Sequence, residues 1–154
     1  ARGLLENVTV RNHVDNQSGA GIYVGKPHAG TLTVRDCNVQ EFAGNGLYAS
    51  APGLPEGRNG PVHVEGGYYR NNNVANVRVG SSGSTVTDVS IVVDRVPPEY
   101  VGVNVRGIRL VERAGQTIEN CEIHLAEGAG PKLLLSDLKS QLDLLAWKMS
   151  REEG

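Results

Sequence analysis

A chain of 154 residues with a formal net charge of -2 and no basic stripe is a poor match for a nucleic-acid binder, which neutralises phosphates with clustered Lys and Arg. No apolar run approaches the roughly 18 residues of a membrane span, and residues 1–6 do not resemble a signal peptide. Twenty glycines beside one Phe and one Trp suit many tight turns around a core of Val, Ile and Leu.

In chain order, alternation of apolar and polar residues at period two predicts half-buried strands. The first pair falls at Val8-Thr9-Val10 and Ile22-Tyr23-Val24, with a turn through Asn16-Gln17-Ser18-Gly19 between them. These strands begin so soon that the chain reads as a piece cut from a longer one, which leaves localisation open. Leu32 and Val34 follow, then a bend at Asp36-Cys37, Val39, a turn at Gly44-Asn45-Gly46 and a strand at Leu47-Tyr48. Residues 51–60 form the longest polar insertion. On a solenoid such insertions collect as loops on one face, so this is the first candidate for contact with a partner. Beyond it come Val62-His63-Val64, a turn at Asn71-Asn72-Asn73 and Val77-Arg78-Val79. Asn tolerates the left-handed conformation, and stacked turns can align Asn amides in a ladder. Val89-Ser90-Ile91-Val92-Val93 precedes a second insertion at 97–103, with Gly107-Ile108-Arg109-Leu110 as the next strand and Val101-Gly102-Val103 as the alternative.

After Thr117-Ile118 the period changes. Leu135, Leu138, Leu142, Leu145 and Met149 are spaced 3, 4, 3, 4, which predicts an amphipathic helix over 133–149 with Pro131 in its first turn. Such a helix would cap an open solenoid end or pair with another copy and make a homo-oligomer.

The strands repeat. Val34-Arg35-Asp36-Cys37-Asn38-Val39 returns as Ile118-Glu119-Asn120-Cys121-Glu122-Ile123, and the same frame places Val10, Val64 and Ile91 beside Val34 and Ile118. The step, about 24 to 30 residues, is that of a solenoid repeat. Cys37 and Cys121 then lie three repeats apart, about 14 Å at the spacing of stacked strands, too far for a disulfide. Both are expected as free thiols facing the interior.

An apolar-x-Asn/Asp-Cys-x-apolar frame followed by a Gly-apolar strand resembles the right-handed parallel β-helix family of pectate lyases, polygalacturonases, alginate epimerases and phage tailspikes. It is most similar to uncharacterised β-helix repeat proteins of microbial surfaces, haloarchaeal ones especially. The resemblance covers about residues 4–125 and implies an all-β fold: a five-coil right-handed parallel β-helix over 1–130, with the helix and tail over 131–154. It also favours an extracellular or cell-surface location. The catalytic motifs of these enzymes do not carry over. There is no Asp-Asp pair with Gly-His-Gly and Arg-Ile-Lys, and the nearest approach to Asp-Pro-His-Glu is His63-Val64-Glu65. Nor is there a cluster of acidic calcium ligands with an Arg base.

Asp15, Glu41, Glu65 and Asp94 lie at related points of successive repeats, and two of them could approach within the roughly 5 to 10 Å used by glycosidases. Acidic residues at turns are more often solvated. His13, His28, His63 and His124 show no metal-ligand spacing, with His63 and His124 expected to point outward, and no cofactor is expected. The candidate binding residues are Tyr23, Tyr48, Arg78 and Arg109, which hold one position in four successive second strands. They predict an outward ladder parallel to a bound polysaccharide chain, although Tyr and Arg also cover sheets simply as amphipathic bulk. The expected function is a non-catalytic structural or surface module that binds carbohydrate weakly or mediates assembly. The alternatives are a polysaccharide-active enzyme or its fragment, and a trimmed or engineered scaffold.

Overall fold

The computed structural model describes residues 1–13, 19–95, 104–126 and 132–136, the last of these as backbone. The chain winds through three parallel sheets in strict rotation. One coil comprises β1 (Arg2–Glu6), β2 (Thr9–Arg11) and β3 (Ile22–Tyr23), and the next β4 (Thr31–Arg35), β5 (Asn38–Gln40) and β6 (Leu47–Ala49). The third has β7 (Val62–Glu65), β8 (Tyr68–Arg70) and β9 (Val77–Val79), and the fourth β10 (Thr85–Thr87), β11 (Ser90–Val93) and β12 (Val105–Leu110). Then come β13 (Thr117–Glu119), β14 (Glu122–Leu125) and β15 (Lys132–Ser136). Every third strand pairs, so sheet A is β1-β4-β7-β10-β13, sheet B holds β2, β5, β8, β11 and β14, and sheet C holds β3, β6, β9, β12 and β15. From β1 to β13 the path completes four full turns of an all-β parallel solenoid.

Alternation decides what enters the core. Leu5, Val34, Val64, Val86 and Ile118 share one register column in sheet A. Val10, Val39, Tyr69, Ile91 and Ile123 share one in sheet B. Ile22, Leu47, Val77 and Ile108 do so in sheet C. Side chains from all three columns meet in a single apolar cluster, the continuous stacked core that one coil cannot build alone.

The corner between sheets A and B sets the repeat. Asn7, Asp36, Gly66, Asp88 and Asn120 all have φ between 49° and 65° there, a left-handed conformation that Gly, Asn and Asp adopt at least cost. Each of the first four donates its N–H to the next coil, to the carbonyls of Arg35, Glu65, Thr87 and Glu119, so the ladder continues round the bend. Gly66-Gly67 shows how tight the corner is. A Cβ on Gly66 would lie 2.3 Å from Asp36 Oδ1, and one on Gly67 2.6 Å from the Cys37 carbonyl oxygen.

That corner corrects the repeat frame. Val34, Val64 and Ile118 are equivalent, as expected, but Val10 and Ile91 belong one strand later, in sheet B; their places in sheet A go to Leu5 and Val86. Both strands of a coil alternate in the same way, and only the left-handed residue between them tells one from the other. Cys37 and Cys121 follow that residue directly and are buried free thiols, with burial pushing the Cys121 thiol pKa up. The choice of Ile108 for sheet C holds, since it pairs with Val77. Residues 101–103 lie outside the described residues.

The helix predicted from residue 133 is overturned at its start. Residues 132–136 are extended and pair with β12 in parallel, Ile108 opposite Leu135 and Arg109 opposite Ser136. Leu133 and Leu135 fit a period of two as well as 3.6, and pairing as a strand satisfies the edge of the six-residue β12, which a helix, bonding its backbone internally, would leave open. Residues 137–149 of the expected helix lie outside the described residues. Among the described residues the only helical element is a short 3-10 turn, Ala51–Gly53.

Candidate functional site

The outward side of sheet C follows from the alternation that buries Leu47 and Val77. Tyr23, Tyr48, Arg78 and Arg109 stand opposite one another on consecutive strands, so all four candidate residues form one ladder along the solenoid axis. The Tyr23 and Tyr48 rings lie 5.4 Å apart at 37°, and the Arg78 guanidinium carbon sits 4.5 Å over the Tyr48 ring, within range of a cation–π contact. Tyr48 is thus stacked from both sides. Tyr23 is 64% exposed, and the Arg78 side chain only 15%. Burial lowers the Arg78 pKa, the Tyr48 and Glu112 side chains support its charge, and neighbouring Arg109 opposes it. Glu112 lies 3.6 Å from Arg78, close enough for charge pairing without a short hydrogen bond.

A second layer flanks this ladder at the corner between sheets C and A. The insertion 51–60, expected to offer itself to a partner, is tied down along the axis. Its Arg58 and Gly60 N–H groups donate to the Lys26 and His28 carbonyls, and Asn59 Oδ1 accepts from the Ser82 N–H. Arg113 donates from Nε to the Gly53 carbonyl at 2.7 Å and from Nη2 to that of Leu54 at 3.3 Å. One loop therefore laps segments that follow the first, third and fourth strands of sheet C. Lys26 pairs with Glu56 on its outer side, a contact that raises the Lys26 pKa and lowers that of Glu56.

Among the described residues, the acidic candidates Glu41, Glu65 and Asp94 are each paired with arginine. Glu41, with φ 66°, has a carboxylate only 4% exposed that accepts from Arg11 at 3.1 Å and from Arg95. Burial pushes its pKa up, but the two arginines outweigh burial and hold it below the usual range. Asp94 is likewise held down, by Arg70 at 2.7 Å and Asn71 at 2.8 Å, against its own burial. Glu65 bonds Arg35 at 2.9 Å. A general acid needs a raised pKa, and Glu41 and Asp94 move the other way. Asp15 lies outside the described residues.

The histidines are dispersed. His63 Nδ1 lies 2.9 Å from Thr85 Oγ1 on the outer side of sheet A, His28 Nε2 is 3.3 Å from the Pro61 carbonyl oxygen, and His124 stands opposite Val92. Among the described residues no group of three or more His, Cys, Asp or Glu side chains is arranged to hold a metal. The expected Asn ladder takes another form. Asn72 bonds the Val39 carbonyl and the Phe42 N–H, and Asn73 accepts from the Asn104 N–H, so these amides mostly tie backbone between coils.

The ladder was legible because each member follows an apolar residue that is itself preceded by Gly or, before Arg78, by Asn76. Lys26, Glu56, Glu112 and Arg113, which frame it, were not. Their contacts span 30 to 60 residues of sequence without a shared motif. In comparisons with known proteins, no family model, no curated protein and no solved structure matches this chain.

Proposed function

We propose that this protein is a non-catalytic, right-handed β-helix module, structural or surface-associated, that binds a polysaccharide along the outer face of sheet C. The observation that carries this reading is the continuous ladder of Tyr23, Tyr48, Arg78 and Arg109, in which stacking fixes the Tyr48 ring while Tyr23 stays exposed. Side chains already held in place lose little freedom on binding. Aromatic and guanidinium groups offer flat apolar area and directional donors to a sugar ring. The arginine-neutralised carboxylates favour binding over hydrolysis.

Affinity electrophoresis through gels containing neutral or acidic polysaccharides tests it, with polymer length read in parallel. Retarded protein with intact polymer is expected, and Tyr23→Ala should remove most of the retardation while leaving the fold intact. Shortened polymer would replace this reading with an enzyme, and unretarded protein in every gel would leave a purely structural role.

A further inference from the structure

A strained turn touches the sheet C ladder. The Val111 N–H donates to the Val79 carbonyl, and the Arg113 N–H then donates both to the adjacent Gly80 carbonyl at 3.0 Å and to that of Val111 at 2.9 Å. Glu112 therefore bulges out of the pairing between coils. With φ 68° it is the centre of a three-residue γ-turn of positive φ, a rare and strained conformation. Its counterparts three residues past the ladder member of each earlier coil, Lys26, Ala51 and Ser81, have no positive φ. The left-handed corner between sheets A and B uses Gly, Asn and Asp, but Glu has neither the freedom of Gly nor a side chain short enough to bond its own turn.

Two glycines make room for this turn. A Cβ on Gly80 would lie 2.7 Å from Ser50 Cβ, and one on Gly53 would lie 2.2 Å from the Gly80 carbonyl oxygen and 3.1 Å from Glu112 Cβ. The turn sends two adjacent charged side chains to different neighbours. Arg113 holds the Gly53 and Leu54 carbonyls of the insertion, whereas the Glu112 carboxylate lies 3.6 Å from Arg78 Nη2. Arg78 is the ladder member that covers Tyr48, and both burial and the neighbouring Arg109 oppose its charge. Strain that persists beside a binding surface points to a use for the side chain it aims.

We propose that Glu112 is a positioning residue of the ladder: the strained turn aims its carboxylate at Arg78 and so holds the guanidinium over Tyr48 before a sugar chain arrives. This rests on the polysaccharide reading of sheet C. An Arg side chain left unheld would have to be ordered on binding, and fixing it beforehand removes that cost.

Three variants of the full chain separate the charge from the turn. Glu112→Gln keeps the side chain but removes its charge, and should weaken retardation in polysaccharide gels by about fivefold, the reach of a partly exposed ion pair. In an Arg78→Ala background the same change should have no further effect, because it acts through Arg78. Glu112→Ala and Glu112→Gly should bind as weakly as Glu112→Gln. Glu112→Gly should nevertheless unfold at a higher urea concentration than Glu112→Ala, since only Gly relaxes at φ 68°. Without polysaccharide, the Arg78 Nε–H proton resonance, displaced by the Tyr48 ring, should move in Glu112→Gln. Unchanged retardation on Glu112→Gln, an added loss in the Arg78→Ala background, or equal stability of the Ala and Gly variants would overturn the proposal. Wild-type protein unretarded in every gel would instead sink the binding reading, and an unmoved Arg78 resonance would overturn the positioning role by itself.

Discussion

Leu5 and Val34 occupy the same register position in adjacent coils, yet Val34 is fully buried and Leu5 is half-exposed. The same contrast separates Val10 from Val39 and Ile22 from Leu47. A coil in a solenoid buries its apolar residues against its neighbours on either side, so position in the stack, rather than residue type, decides how much each contributes. The inner coils should therefore carry the stability.

The widest separation is expected between Ile91→Ala and Leu5→Ala. Removing the Ile91 side chain from the closed core should cost about 2–5 kcal/mol, whereas Leu5→Ala, with less area to lose, should cost about 1 kcal/mol. Midpoints of urea unfolding measure both, and equal losses would mean that the first coil is as well covered as the inner ones.

Glu41 tests whether the polar corner binds coils as the core does, since Arg11 and Arg95 reach it from different turns. Glu41→Gln removes the charge that both arginines face and should cost about 1.5–3 kcal/mol at neutral pH. Glu41 and Asp94 have folded-state pKa values below the ordinary 4.5 and 3.8. On acidification the unfolded chain takes up protons first, so this stabilisation is complete above the ordinary values and is lost as pH falls through the lower folded ones. Unfolding midpoints between pH 7 and pH 2 should drop less steeply for Glu41→Gln than for the wild type.

A smaller effect, of opposite sign, is expected at Tyr69. It fills the sheet B column between Val39 and Ile91, and its buried hydroxyl has no hydrogen-bond partner. Tyr69→Phe should raise stability by about 1 kcal/mol, because it removes an unsatisfied polar atom at nearly constant shape. A loss on thermal unfolding would show that the hydroxyl is solvated or bonded. Least of all should change on Lys26→Ala, where an exposed ion pair with Glu56 is screened by solvent: the melting temperature should stay unchanged. Arg113→Ala, by contrast, removes the donor that holds the insertion's Gly53 and Leu54 carbonyls and should speed tryptic cleavage after the exposed Arg58.

Much of this arrangement was readable from residues alone. The period-two alternation marked most strands, and a constant offset from Gly-apolar pairs, with Asn76-Val77 in the third coil, put Tyr23, Tyr48, Arg78 and Arg109 in one ladder. The frame slipped by a strand at Val10 and Ile91 because neighbouring strands carry the same apolar pattern, and the discriminating signal, a left-handed Asn, Asp or Gly, is only one residue wide. The leucines from 133 onward satisfied two periods at once, and the edge of β12 chose between them at 132–136.

The sequence by itself determined the parallel solenoid, which side of each strand faces inward and the free buried cysteines, since each depends on local alternation repeated at a fixed step. Only the tertiary structure decided how deeply each coil of the described residues is covered. It also decided that the 51–60 insertion is fastened and that Glu41 is clamped between two arginines. Those outcomes depend on which distant segments come to lie side by side, and a pattern within one repeat carries no record of its neighbours.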